Sequence, residues 1–99
     1  MASLDLGLLD PEVIAKYISR RREDMDQCRQ ALVVKDFEAI GRIGHKLKGN
    51  GVTFGFPELS HWGEQLENAV ASNNVSDLQK YVGLFEAWIS NLKSEEPSA

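Results

Sequence analysis

The chain has a single cysteine, Cys28, so no disulfide can form within it and a reducing compartment is its natural home. No apolar run approaches the length needed to cross a bilayer. The first ten residues carry Asp5 and Asp10 and no basic stretch, so they do not read as a signal peptide. These absences lead to the expectation of a cytoplasmic protein with no membrane partner. Basic charge is also short, with 11 Lys and Arg against 15 Asp and Glu and a net charge of -4. That balance argues against nucleic acid as a partner, because a phosphate backbone demands a basic surface. The one basic cluster, Arg20-Arg21-Arg22, reads as a solvated helix face or a junction. Two histidines without metal-ligand spacing make a zinc site improbable, and no metal ligand is assigned. There is no Gly-x-Ser-x-Gly elbow, no Ser/His/Asp set and no glycine-rich nucleotide loop.

What is present is helical periodicity. Ninety-nine residues make one domain with a sufficient core, and apolar residues recur at spacings of three and four almost throughout. Asp10-Pro11 supplies a cap and a first-turn proline, followed by the stripe Ile14, Ile18, Arg21, Met25, Cys28, Leu32. Arg21 is out of place in that stripe, which predicts a short first helix ending near Ser19 and a second beginning at Arg20 to Arg22. Asp36 caps a helix predicted to run from Phe37 to Phe54 and to end at Gly55. Pro57 opens the next, with Leu59, Gly63, Leu66 and Val70 inward. Ser76-Asp77-Leu78-Gln79 reads as a capping box before Leu78, Val82, Phe85, Ile89 and Leu92. The expected fold is all-α, an antiparallel up-down-up-down four-helix bundle with a short N-terminal helix. Residues 1–9 are a lead-in, 10–93 the bundle and 94–99 a polar tail expected to be disordered.

The chemistry concentrates in His45-Lys46-Leu47-Lys48-Gly49. Residues three and four apart share a helix face, so Gly41, His45, Lys48 and Gly49 line up beside the core stripe rather than on it. His45 should be anchored at its base and reachable from water, with a cation one turn on. A histidine held only for structure is poorly served by such a neighbour. Each interior glycine costs about 0.8–1.0 kcal/mol against alanine. Gly44 and Gly51, on the core stripe, are read as sites of close helix packing. Gly41 and Gly49 flank His45, where the missing side chains would leave room for a phosphoryl group and a partner. Glu67, one step off the inward stripe of the following helix, would point toward the His45 column in an antiparallel pair; a carboxylate accepting from Nδ1 would fix the tautomer and leave Nε2 as nucleophile. The alternative for Glu67 is an ordinary exposed helix glutamate.

The run His45-x-Leu47-Lys48-Gly49, with Gly55 after it and Leu66-Glu67 further on, resembles the signature of histidine phosphotransfer (HPt) domains, over about Asp10 to Leu92. Thr53-Phe54-Gly55-Phe56 is similar to the phosphoacceptor domain of chemotaxis-type histidine kinases. Those kinases carry a second histidine at the position of Glu64, so His61 has no assigned role. The resemblance implies that His45 takes a phosphoryl group from an aspartyl phosphate of a receiver domain and passes it to another receiver, with a sensor histidine kinase upstream. It implies a glutamate or glutamine at this position, here Glu67, that orients the histidine or its neighbouring lysine. It also implies an N-terminal apolar docking surface, here Val13, Ile14, Tyr17 and Ile18, the alternative for these four being to cap the end of the bundle, with Gly41, Gly49 and Val52 close to the histidine. Phosphoryl transfer is mostly positioning and charge stabilisation, and Lys48 would balance the equatorial oxygens. The receiver brings the Mg²⁺, so no cofactor is expected of this chain, and without an ATP-binding element it is a carrier rather than an enzyme, acting as a monomer. Two other readings are the phosphoacceptor domain of a chemotaxis-type kinase and an unphosphorylated module that binds a receiver or kinase.

Overall fold

The computed structural model describes residues 10–95, which form four helices and no strand. They are α1 (Pro11–Val34), α2 (Phe37–Asn50), α3 (Pro57–Ala71) and α4 (Val75–Glu95). The lead-in assigned to 1–9 lies outside the described residues, as does the tail from 96 onward. Helix α4 runs through Glu95, so the first two residues of the stretch read as a tail are helical.

Helix α1 starts where Asp10 and Pro11 dictate. The Asp10 carboxylate accepts from the backbone N–H groups of Glu12 and Val13 at 2.9 and 3.2 Å, satisfying donors that no helical carbonyl can reach. The helix then continues for 24 residues without a break. This corrects the predicted short first helix and the junction at Arg20 to Arg22. Arg21 does not mark a bend; it is buried. Its Nε lies 2.9 Å from Asp24 Oδ2, and its guanidinium sits 4.6 Å above the Tyr17 ring. The other Asp24 oxygen takes Lys46 Nζ of α2 at 3.2 Å. A paired arginine can occupy a core stripe, which an unpaired one cannot.

Lys35, at φ 62°, ends α1 in the left-handed region, and Asp36 caps α2 by accepting from Ala39 N–H at 3.3 Å. Helix α2 stops at Asn50, not Phe54. Residues 51–55 form turns that keep i to i−4 bonds, Gly51 to Leu47 and Phe54 to Asn50, until Gly55 reverses the chain at φ +89°. Asn74, not Ser76, caps α4. Its side chain accepts from Asp77 N–H at 3.1 Å and donates to the Asp77 carboxylate at 3.2 Å, a reciprocal box two residues upstream of the predicted one.

Helices in sequence pack on one another, and α1 also packs on α4, which closes the ring. The core draws Tyr17, Cys28 and Ala31 from α1, Ile40, Ile43 and Leu47 from α2, Leu59, Leu66 and Ala69 from α3, and Leu78, Val82, Phe85 and Ile89 from α4. At the end of the bundle where α2 stops, Tyr17 stacks on Phe54 at 4.3 Å and donates to Asn50 Oδ1 at 2.6 Å. Phe56 meets Trp88 edge-on at 5.1 Å. These contacts hold the 51–56 turn against α1 and α4. No helix is long and apolar enough to cross a membrane among the described residues.

Candidate functional site

The site is built by how closely α2 and α3 approach. Gly44 and Gly63 sit on the facing stripes, where an added Cβ on Gly44 would lie 2.8 Å from the Gly63 carbonyl oxygen. Beside them Gly41 meets Val70 and Gly51 meets Ser60, so α3 residues are met in descending order along α2. That register carries Glu67, one turn beyond Gly63, to the flank occupied by His45. The His45 Nδ1 lies 2.8 Å from Glu67 Oε2. Lys48 Nζ lies 3.6 Å from the other Glu67 oxygen. One carboxylate therefore orients the imidazole and restrains the lysine beside it. The His45 side chain is still 76% exposed, anchored at Nδ1 and open to water at its other nitrogen.

The flanking glycines differ. A Cβ on Gly49 would meet nothing within 4 Å, so the surface there is open. A Cβ on Gly41 would meet Val70 at 3.4 Å, ordinary contact distance, so Gly41 lies against α3 instead of opening a void. Val52 is exposed, in the turn beyond the end of α2. His45 and Glu67 line a shallow depression of about 440 Å³ together with Glu38, Gly41, Arg42 and Val70. Arg42 was missed from sequence. The signal was there, since it stands three residues before His45 as Lys48 stands three after.

The four α1 residues read as a docking surface separate. Val13 is exposed and Ile14 half-buried, whereas Tyr17 and Ile18 are buried. Both buried residues face the bundle because α1 is unbroken, which puts positions 17, 18, 21, 24, 28 and 31 on one side. Val13 and Tyr17 do line a second depression of about 810 Å³ between α1 and α2, with Arg20, Lys46, Asn50 and Phe54. His45 is not part of it. His61 is exposed on α3, its ring edge-on to Tyr81 at 6.4 Å, and lines neither depression.

Two groups in α1 are displaced in their titration. Burial pushes the Tyr17 phenol up, partly offset by Arg21 above its ring. Burial, helped by the Asp24 charge, pushes the Cys28 thiol up to about 12. Cys28 is thus a core side chain and no nucleophile. Among the described residues no cluster of three or more His, Cys, Asp or Glu has the arrangement to hold a metal ion.

An exposed imidazole with Nδ1 engaged by a carboxylate has Nε2 available as a nucleophile, and an ammonium beside it suits an anionic electrophile. The family model described as Hpt domain matches residues 12–95. No curated protein and no solved structure matches the chain.

Proposed function

The chain belongs to the Hpt domain family, phosphotransfer modules of two-component systems, and from that premise we propose that His45 is its phosphorylation site. Family members interact with receiver domains and histidine kinases in phosphorelays and are phosphocarriers, generally not enzymes. In our reading neutral His45 attacks the phosphorus of a receiver's aspartyl phosphate through Nε2. The N–P bond forms as the P–O bond to the aspartyl oxygen breaks, and the aspartate leaves with the electron pair as a carboxylate. The Nδ1 proton stays shared with Glu67. Lys48 swings from Glu67 toward the phosphoryl oxygens, a small cost because an exposed ion pair contributes about 0.2–1 kcal/mol. A second receiver takes the group by the reverse chemistry, each receiver bringing its own Mg²⁺.

The observation that carries this reading is the His45 Nδ1 to Glu67 bond at 2.8 Å beneath an imidazole that is otherwise open to water. The open surface at Gly49 gives a partner room to approach, and Val13 with the α1–α2 depression offers it an apolar margin. The up-down-up-down antiparallel order, supported by the short connections and the descending α2–α3 register, leaves this face uncovered by the rest of the bundle. We place the protein in the cytoplasm, acting as a monomer.

Treating the purified chain with phosphoramidate, and comparing it with His45→Gln by intact mass and acid lability, tests the assignment. One acid-labile phosphoryl group on the wild type and none on the variant is expected. Equal labelling of both, or of neither, would leave only a binding module.

A further inference from the structure

Lys48 is the cation that the sequence motif offers to the phosphoryl group, yet it is already engaged. It shares Glu67 with His45, so it must leave that carboxylate to reach phosphate. Arg42 is under no such restraint. It pairs with Glu38 at 3.9 Å, the outer limit of an ion pair, with the two side chains 70% and 86% exposed. Such a pair holds its members weakly. Side chains on a helix lean toward its N-terminus, so the His45 ring lies over the turn that contains Gly41 and Arg42. All three line the same depression as Glu38.

We propose that Arg42 is a second phosphate-contacting residue: its guanidinium leaves Glu38 and takes two oxygens of the phosphoryl group on His45 Nε2, with Glu38 a weak competing anion. The fork geometry of arginine suits two oxygens of one phosphate, which a lysine meets as a point charge. The inference rests on the reading that His45 is phosphorylated.

The test uses phosphoramidate as donor. Nε2 bonds to phosphorus as the donor P–N bond breaks and ammonia leaves. Wild type, Arg42→Ala, Arg42→Lys and Glu38→Gln are compared by labelling rate, and the phosphohistidine is titrated by ³¹P NMR. Arg42→Ala should slow labelling about three- to tenfold, the effect of losing one exposed charge-assisted contact. Its phosphoryl titration midpoint should rise by about half a pH unit, since the dianion loses a counter-charge. Arg42→Lys should recover part of both effects, and Glu38→Gln should label about two- to threefold faster. The side chain is exposed, so melting temperatures should be unchanged, and the phosphorus titration reads a contact that a merely structural arginine would not affect. If Arg42→Ala labels and titrates like a labelled wild type, the inference falls while the assignment of His45 stands. If the wild type takes no phosphoryl group, the assignment falls and the inference with it.

Discussion

Gly44 and Gly63 meet backbone to backbone: a Cβ on Gly63 would lie 2.5 Å from the Gly44 carbonyl oxygen. This contact sets the spacing of α2 and α3, and that spacing decides whether Glu67 reaches His45. A packing feature of the core thus fixes the geometry of an exposed imidazole.

Gly44→Ala should therefore destabilise the protein by about 1–3 kcal/mol, because the backbone it meets cannot move aside as a flexible side chain would. Gly49→Ala, built into open space, should be neutral or gain up to about 1 kcal/mol from helix propensity. Urea denaturation of the two variants checks the contrast. Equal stabilities would mean that the helices are not in close contact at Gly44.

A bulky residue at Gly49 separates small donors from protein partners. Gly49→Gln should label with phosphoramidate at nearly the wild-type rate, because His45 and Glu67 are untouched. Transfer from a phosphorylated receiver should fall on the order of tenfold, the scale expected when a reacting pair is held slightly apart. Equal losses with both donors would show that the glycine serves the histidine itself and not the approach of a partner.

Glu67 should matter through the imidazole tautomer. Glu67→Ala removes the acceptor at Nδ1 and should slow labelling on the order of tenfold, as loss of an orienting carboxylate does elsewhere. Glu67→Gln keeps an acceptor oxygen and should retain most of the rate. Nitrogen NMR of the ring should find the proton at Nδ1 in wild type and Glu67→Gln, and divided between the nitrogens in Glu67→Ala. A proton unmoved in all three would remove Glu67 from the mechanism.

The His45, Lys48 and Glu67 set was legible in sequence because each relation follows a short periodicity: three residues along one helix, and one step off the inward stripe of the next. Gly44 and Gly51 were legible for the same reason. Asp24 was not. An aspartate between Glu23 and Asp26 looks like part of a solvated charged run, and its partners Arg21 and Lys46 come from one turn back and from another helix. Missing that pair also produced the false break in α1, since an arginine in an apolar stripe is out of place until its Asp24 partner is seen. The α4 cap failed differently: Asn74 and Ser76 are both good caps, and the turn at Asn73, with φ 57°, decides between them.

Asp24 now carries a stability prediction. Asp24→Asn would leave the Arg21 guanidinium buried without its counter-charge and should cost about 3–5 kcal/mol. Lys46→Ala removes only the half-exposed partner and should cost under about 1 kcal/mol. Thermal unfolding of both variants tests this. A mild Asp24→Asn would show that the Tyr17 ring and water suffice to hold the arginine.

Cys28 makes the alkaline limb of the stability curve a test of the core. Its thiol is fully buried and pushed up to about 12 from an ordinary value of 9.0, so the folded state keeps its proton when the unfolded chain releases it. Above pH 9 the unfolded state thus binds fewer protons than the native state, and stability falls as pH rises. The loss should continue toward pH 12, with a slope approaching about 1.4 kcal/mol per pH unit from this one group. Tyr17, also displaced upward by burial, adds to the fall above its ordinary value of 10.0. Cys28→Ala removes the thiol part and leaves the Tyr17 part, so its stability should decline less steeply between pH 9 and 10 even if it starts lower. In parallel, a disulfide reagent at neutral pH should modify the native thiol far more slowly than the thiol of urea-unfolded protein. Parallel pH curves for wild type and Cys28→Ala, together with rapid native labelling, would mean that α1 opens readily at Cys28. The continuous helix that sets Asp24 against Lys46 of α2 would then be a minor state.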